Sequence, residues 1–231
     1  MSLYLYLNLA IIAFPLIFSF ERRIKFYKKF KPLSLAMLAV GIIFVAWDVF
    51  ATSRGHWSFN PAYVNNIRLL NLPIEEILFF VTVPYSCLFT FQAITHFLGD
   101  KQLFSSKKWL ATIIGALILL SAFAFYNREY TFLAIISVGL TVLFVSLVNP
   151  KLFSTRTYWT YTFLTLILFL IFNYVLTSTP IVEYSPSAIT GFRVTTIPIE
   201  DFLFNYSMLT SYLTVYVWAS KKLKKEDPAN L

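Results

Sequence analysis

The stretch Leu72-Pro73-Ile74-Glu75-Glu76-Ile77-Leu78-Phe79 returns 125 positions later as Ile197-Pro198-Ile199-Glu200-Asp201-Phe202-Leu203-Phe204, and each copy opens a long apolar run. Arg68 and Arg193 precede their glutamates, Glu75 and Glu200, by the same interval. The same shift lays Asp48 on Asn173 and Thr52-Ser53 on Thr177-Ser178. The chain therefore reads as an internal duplication that sets a pair of carboxylates at the entrance of two apolar helices.

With 58% hydrophobic and 13% charged residues over 231 positions, the composition points to an all-α, polytopic membrane protein. Seven apolar runs, Leu3 to Phe20, Leu33 to Phe50, Ile74 to Leu98, Trp109 to Tyr126, Thr131 to Val148, Tyr158 to Leu176 and Ile199 to Ser220, mostly approach the roughly 20 residues that a bilayer requires. The cations set the orientation. All but Arg54, Arg68, Arg128 and Arg193 fall in alternate loops or in the tail, and Lys and Arg collect on the cytoplasmic side. This places the amino terminus outside and the carboxyl terminus inside, in a multi-pass protein of the cell membrane. The same distribution accounts for the net charge of +8, so nucleic acid is not an expected partner. A cleaved signal peptide is not expected either, because the cations follow the first apolar run. Cys87 is alone, His56 and His96 are not spaced as ligands, and the six glycines are scattered. Neither a metal site nor a dinucleotide-binding loop is expected.

Three runs in each copy require one more crossing between them if both copies are to have the same orientation. The expected plan is a 3+1+3 parallel repeat: residues 1–100 as the first three-helix unit, 101–130 as the connector, 131–225 as the second unit and 226–231 as a short tail. The two loops of about twenty residues, Ala51 to Leu72 and Thr177 to Ile197, then lie outside, and loops of that length are usually functional. Their aromatics, Trp57, Phe59, Tyr63 and Tyr184, either cap the interior or rest at the lipid interface, the ordinary place for such rings.

Pro73 and Pro198 suit the first helical position, and acids in the following turn meet free amides and the positive end of the helix dipole. That describes any helix start. Two such segments in register, each with doubled acids at membrane depth, point further, to a functional site. A carboxyl group near hydrocarbon is costly to ionise and a neighbouring acid adds to the cost, while the dipole and Arg68 or Arg193 act the other way. A pair of this kind can divide proton-donor and anion roles. Glu75 shares a helix face with Phe79, and Glu200 with Phe204, so each acid is expected beside a ring able to hold a cation. The candidate catalytic residues are Glu75, Glu76, Glu200 and Asp201. Arg68, Arg193 and Asp48 support them, Asp48 being placed either to pair with Arg54 or Arg68 or to complete an acidic cluster. Trp47, Phe79, Phe204 and Tyr206 are the candidate substrate contacts.

The twin Pro-x-Glu-Glu/Asp-x-x-Phe segments, Pro73 to Phe79 and Pro198 to Phe204, on two three-helix units resemble the integral-membrane lycopene cyclases, the carotenoid cyclases without a flavin domain. The likeness spans nearly the whole chain. It implies a redox-neutral isomerisation: protonation of the terminal double bond of an acyclic ψ-end, closure through a tertiary cation, and loss of a proton to leave a β-ionone ring, giving γ- or β-carotene. It further implies that the four carboxylates form the site, that no cofactor is used, and that the partners are lycopene, the lipid bilayer and other carotenoid-pathway enzymes. A C40 hydrocarbon is comparable in length to the apolar thickness of a bilayer, about 30 Å.

A membrane transporter of the 3+1+3 type is the competing reading, although the proline of the first run, Pro15, is not repeated in the second unit. A retinal protein would need a lysine within the last run, and Ile199 to Ser220 contains none. A purely structural assembly protein gives no reason for repeated acids beneath the interface.

Overall fold

The computed structural model describes residues 1–225; the expected tail, 226–231, lies outside the described residues. Seven α-helices follow one another: α1 (Leu3–Phe18), α2 (Phe30–Ser53), α3 (Ile74–Leu98), α4 (Lys108–Ala122), α5 (Glu129–Val148), α6 (Arg156–Ser178) and α7 (Ile199–Lys225). Each covers one of the seven expected apolar runs, with ends shifted by a few residues. The segments containing α2 to α6 are long and apolar enough to cross a membrane. Helix α1 is apolar but has only 16 residues, and α7 buries Glu200, Asp201, Ser207, Thr210 and Thr214. Large apolar side chains such as Ile17, Ile42, Ile43, Leu117 and Leu120 stay exposed, as befits a polytopic membrane protein whose outer surface meets lipid.

Helix α1 packs on α3, and α5 on α7. Polar contacts tie both pairs where lipid offers no alternative partner. In the first pair, Asn8 Nδ2 donates to the carbonyls of Tyr4 and Glu75, each at 3.1 Å, and Thr82 Oγ1 donates to Asn8 Oδ1 at 2.6 Å. In the second, Ser137 donates to Ser207 at 2.9 Å. Helices α2 on α7 and α3 on α6 join the two sets, and α4 lies along α5.

The two long loops carry six short strands that the sequence reading did not anticipate: β1 (Trp57–Phe59), β2 (Arg68–Leu69), β3 (Leu72–Pro73), β4 (Val182–Tyr184), β5 (Arg193–Val194) and β6 (Ile197–Pro198). Arg68 pairs with Pro73 and Arg193 with Pro198 in two small hairpins. Their turns repeat an uncommon backbone, with φ of 59° at both Leu70 and Thr195. The hairpins also move the prolines. Pro73 is the N-cap of α3, with an extended ψ of 149°, instead of its first helical residue, because its backbone belongs to β3.

Strands β1 and β4 pair antiparallel, Trp57 with Tyr184 and Phe59 with Val182. The flanking bonds, Asn60 N–H to Ile181 O at 3.0 Å and Ser185 N–H to His56 O at 2.9 Å, exchange with one another under the 125-residue shift. The loops therefore form one layer that straps the two repeats together. Trp57 and Phe59 are buried beneath it; they cap the interior and do not sit at the lipid interface, because strand pairing turns both rings downward.

Helices α4 and α5 come into close contact at Gly115 and Gly139. A Cβ at Gly139 would lie 2.6 Å from Leu119 Cδ2 and 3.1 Å from the Gly115 carbonyl. Gly139→Val should destabilise the protein by about 1–3 kcal/mol through overpacking, seen as an earlier loss of helical signal on heating in detergent. An unchanged midpoint would contradict this contact.

Candidate active site

The first acid of each motif turns toward the loops. Glu75 is fully buried and its Oε1 accepts from the Asn65 backbone N–H at 2.8 Å, the Asn65 side chain at 2.5 Å and the Ser2 hydroxyl at 2.5 Å. Glu200, equally buried, accepts from the Thr190 N–H at 2.7 Å, the Thr190 hydroxyl at 2.8 Å and the Thr131 hydroxyl at 2.6 Å. Asn65 and Thr190 are equivalent under the repeat. In both halves a helix-start carboxylate fastens the preceding loop through the same backbone amide, and charge-assisted bonds of this kind are among the stronger ones.

The second acid of each motif turns inward. Glu76 Oε2 accepts from the Tyr4 hydroxyl at 2.6 Å and lies against the Asp48 carboxyl. Asp48 Oδ1 accepts from Trp57 Nε1 at 2.9 Å, and its buried Oδ2 has no donor. Two carboxyls in contact supply four acceptors and no hydrogen unless one of them carries a proton. Asp201 has the opposite surroundings: it accepts from Tyr130 at 2.8 Å, Tyr184 at 2.6 Å and Asn173 Nδ2 at 2.9 Å. Asn173 occupies the place that Asp48 holds in the first repeat, so one half has two carboxyls together and the other has a single carboxyl ringed by donors. Burial, then the neighbouring Asp201 charge, push the phenol of the loop residue Tyr184 above its ordinary range, so Tyr184 serves as a hydrogen-bond donor.

Glu76, Asp48 and Asp201 face one chamber of about 70 Å3, roofed by Trp57, Phe59 and Tyr184. Phe79, Phe169, Asn173, Leu176 and Asn205 line both this chamber and an apolar cleft of about 340 Å3 that runs between α1, α3 and α6 and is backed by Asn205 and Leu209 of α7. The two spaces share one wall.

The remaining predicted residues divide. Phe79 and Phe204 line the acid chamber, although the acids that share it with them are Glu76 and Asp201, not Glu75 and Glu200. Trp47 packs on Phe204 with ring centroids 5.6 Å apart, behind the chamber. Tyr206 lies away from the site, receiving a bond from Tyr158 at 3.1 Å and lining a separate cavity beside Lys107. Arg68 and Arg193 do not reach the carboxylates: they are exposed and donate to the carbonyls of Asn71 and Thr196 at the hairpin turns. Arg54 pairs instead with Glu129 at 3.0 Å, beside the buried His56, which leaves Asp48 to the acidic cluster. Sequence reading missed Tyr4, Tyr130 and Asn173 as partners of the acids. The Asp48–Asn173 correspondence was visible; the two tyrosines stand 126 apart, one residue off the main repeat, and could be found only by allowing a gap.

No curated protein and no solved structure matches this chain. A family model described as Lycopene cyclase matches it in two segments, residues 1–94 and 127–219, which leave out α4 and contain every carboxylate of the chamber. The two matched segments follow the duplication read from the motifs, and by them the chain belongs to the lycopene cyclase family.

Proposed function

We propose that the protein catalyses the redox-neutral, acid-initiated cyclisation of the ψ-end of lycopene, or of a related acyclic carotenoid end, to a β-ionone ring, giving γ- or β-carotene. The observation that carries this reading is an apolar cleft that shares a wall with a chamber holding three carboxylates and no cation among them. The Glu76–Asp48 pair is suited to hold a proton and deliver it to the terminal double bond. Ring closure moves the positive charge along the same carbon skeleton, with Phe79 and Phe204 presenting ring faces to it. Asp201, already supplied with three donors, faces that charge as an anion. A proton then leaves the new ring for a carboxylate, so that atoms and electrons balance without an external reductant.

In this reading the enzyme is an isomerase with two three-helix units, residues 1–100 and 131–225, joined by the connector at 101–130 as a 3+1+3 parallel repeat. It lies in the cell membrane with the amino terminus and the loop layer outside and the carboxyl terminus in the cytoplasm, as the distribution of lysines and arginines favours. Its partners are lycopene, the bilayer and other carotenoid-pathway enzymes. It uses no flavin or nicotinamide, in keeping with a sequence that has no glycine-rich loop.

Expression in cells that accumulate lycopene should change their colour from red to orange or yellow, with cyclised products on chromatography; a pigment that stays acyclic would refute the reading. Glu76→Gln and Asp201→Asn should each lower turnover by about 10²-fold or more, the usual weight of a positioned acid or base. Glu75→Gln and Glu200→Gln should keep the protein in the membrane and severely reduce ring formation, and in addition make the loop layer more open to added protease. Normal turnover with normal protease resistance in both would remove these two acids from the account. Conversion should also continue after bound flavin and nicotinamide are stripped, and a strict requirement for either would contradict the redox-neutral course.

A further inference from the structure

The two repeats build the same acid chamber from opposite sides, yet they do not give it the same approach. Under the 125-residue shift, the cleft between α3 and α6 corresponds to the interface between α7 and α2. That second interface is filled. Tyr212 of α7 is fully buried and donates to the Phe80 carbonyl at 3.0 Å. Its hydroxyl passes so close to α2 that a Cβ on Gly41 would stand 3.0 Å from it. Nearer the acids, Phe204 is boxed by Phe44 at 5.3 Å and Trp47 at 5.6 Å, edge to face, and Phe80 completes the packing.

On the other side, the residue equivalent to Tyr212 is Cys87, and the residue equivalent to Phe80 is Asn205. Both line the open cleft. A thiol replaces a phenol and an amide replaces a ring at the two places where the closed side is plugged, and the void that remains is the cleft of about 340 Å3. Its rim includes exposed residues of α1, Ala10 and Phe14, so it opens on the surface that meets lipid. A wall that is apolar except for a few small polar groups suits a hydrocarbon chain, and the shared residues Phe79, Phe169 and Asn205 lead its tip to the carboxylates.

We propose that an acyclic isoprenoid chain reaches the acid chamber from one side only, through the cleft between α1, α3 and α6, and that the small residue at Cys87 keeps this entrance open while Tyr212 closes its counterpart. This rests on the cyclase reading. One entrance admits one end of the molecule at a time, so a two-ring product requires the one-ring intermediate to leave, reverse and enter again.

The test follows conversion of lycopene by the full-length protein in lipid nanodiscs, together with the visible absorption of carotenoid retained on purification. Cys87→Phe, which restores a ring where Tyr212 has one, should lower both conversion and retained carotenoid by about tenfold or more through overfilling. Because Cys87→Phe adds bulk to a packed helix, Ala10→Phe at the exposed rim provides a second obstruction and should raise KM severalfold. A change of similar bulk in the other repeat, Leu140→Phe on the exposed face of α5, should leave KM unaltered. An early burst of one-ring product that exchanges with added unlabelled intermediate should precede the two-ring product. Folded Cys87→Phe and Ala10→Phe proteins with wild-type KM and carotenoid retention would overturn the single entrance while leaving the cyclase reading intact. A wild-type protein that neither converts nor retains lycopene would show instead that the cyclase reading had failed, and the proposed occupant of the cleft with it.

Discussion

A carboxyl group buried in a membrane bundle without a cation has to be met by neutral donors, and this requirement shapes the end of the molecule that carries the long loops. Glu75 and Glu200 are met by loop amides and hydroxyls, which brings the loops down onto the helix starts. Glu76 and Asp201 are met by Tyr4 and Tyr130, which seats the first helix of each unit beside the third. Leaving a buried acceptor unpaired costs about 1–3 kcal/mol, and more when it is charged, so these bonds are difficult to exchange for alternatives. The outward acids thus hold the roof, and the inward ones face the space beneath it.

Duplication supplies two similar half-sites, and the departures from symmetry give them different capacities. Where the first repeat has Asp48, the second has Asn173, so a carboxyl pair faces a carboxyl held by an amide. Where the second has Tyr212, the first has Cys87, so one approach is packed and the other hollow. The strap formed by β1 and β4 keeps the two halves in register, and its Trp57 donates to Asp48 while Tyr184 donates to Asp201. One short strand pair therefore connects each half of the roof to the acid below it.

Much of this was legible in one sequence. The membrane class followed from composition, the helices from apolar runs that match α1 to α7 within a few residues, and the duplication from two octapeptides. The burial of the four motif acids was legible as well, because ionisable residues at membrane depth turn to the interior of the bundle. The arginines misled, since a fixed spacing along the chain says nothing of which way a side chain points once a hairpin turns it outward; both satisfy turn carbonyls. Tyr206 misled for a similar reason. It follows the motif closely in sequence, but its position on α7 turns it toward another cavity.

The sequence by itself determined that this is a duplicated, helical membrane protein with acids at two helix entrances, because hydrophobic length, charge distribution and repeated motifs are properties of the linear chain. Only the tertiary structure decided which acid of each pair faces the chamber, which tyrosines and amides answer it, and which of two equivalent clefts stays open. Those choices depend on side-chain direction and on volumes contributed by residues 70 or more positions apart, as with Tyr4 and Glu76 or Tyr212 and Phe80, and no local pattern encodes the space left between helices until they pack.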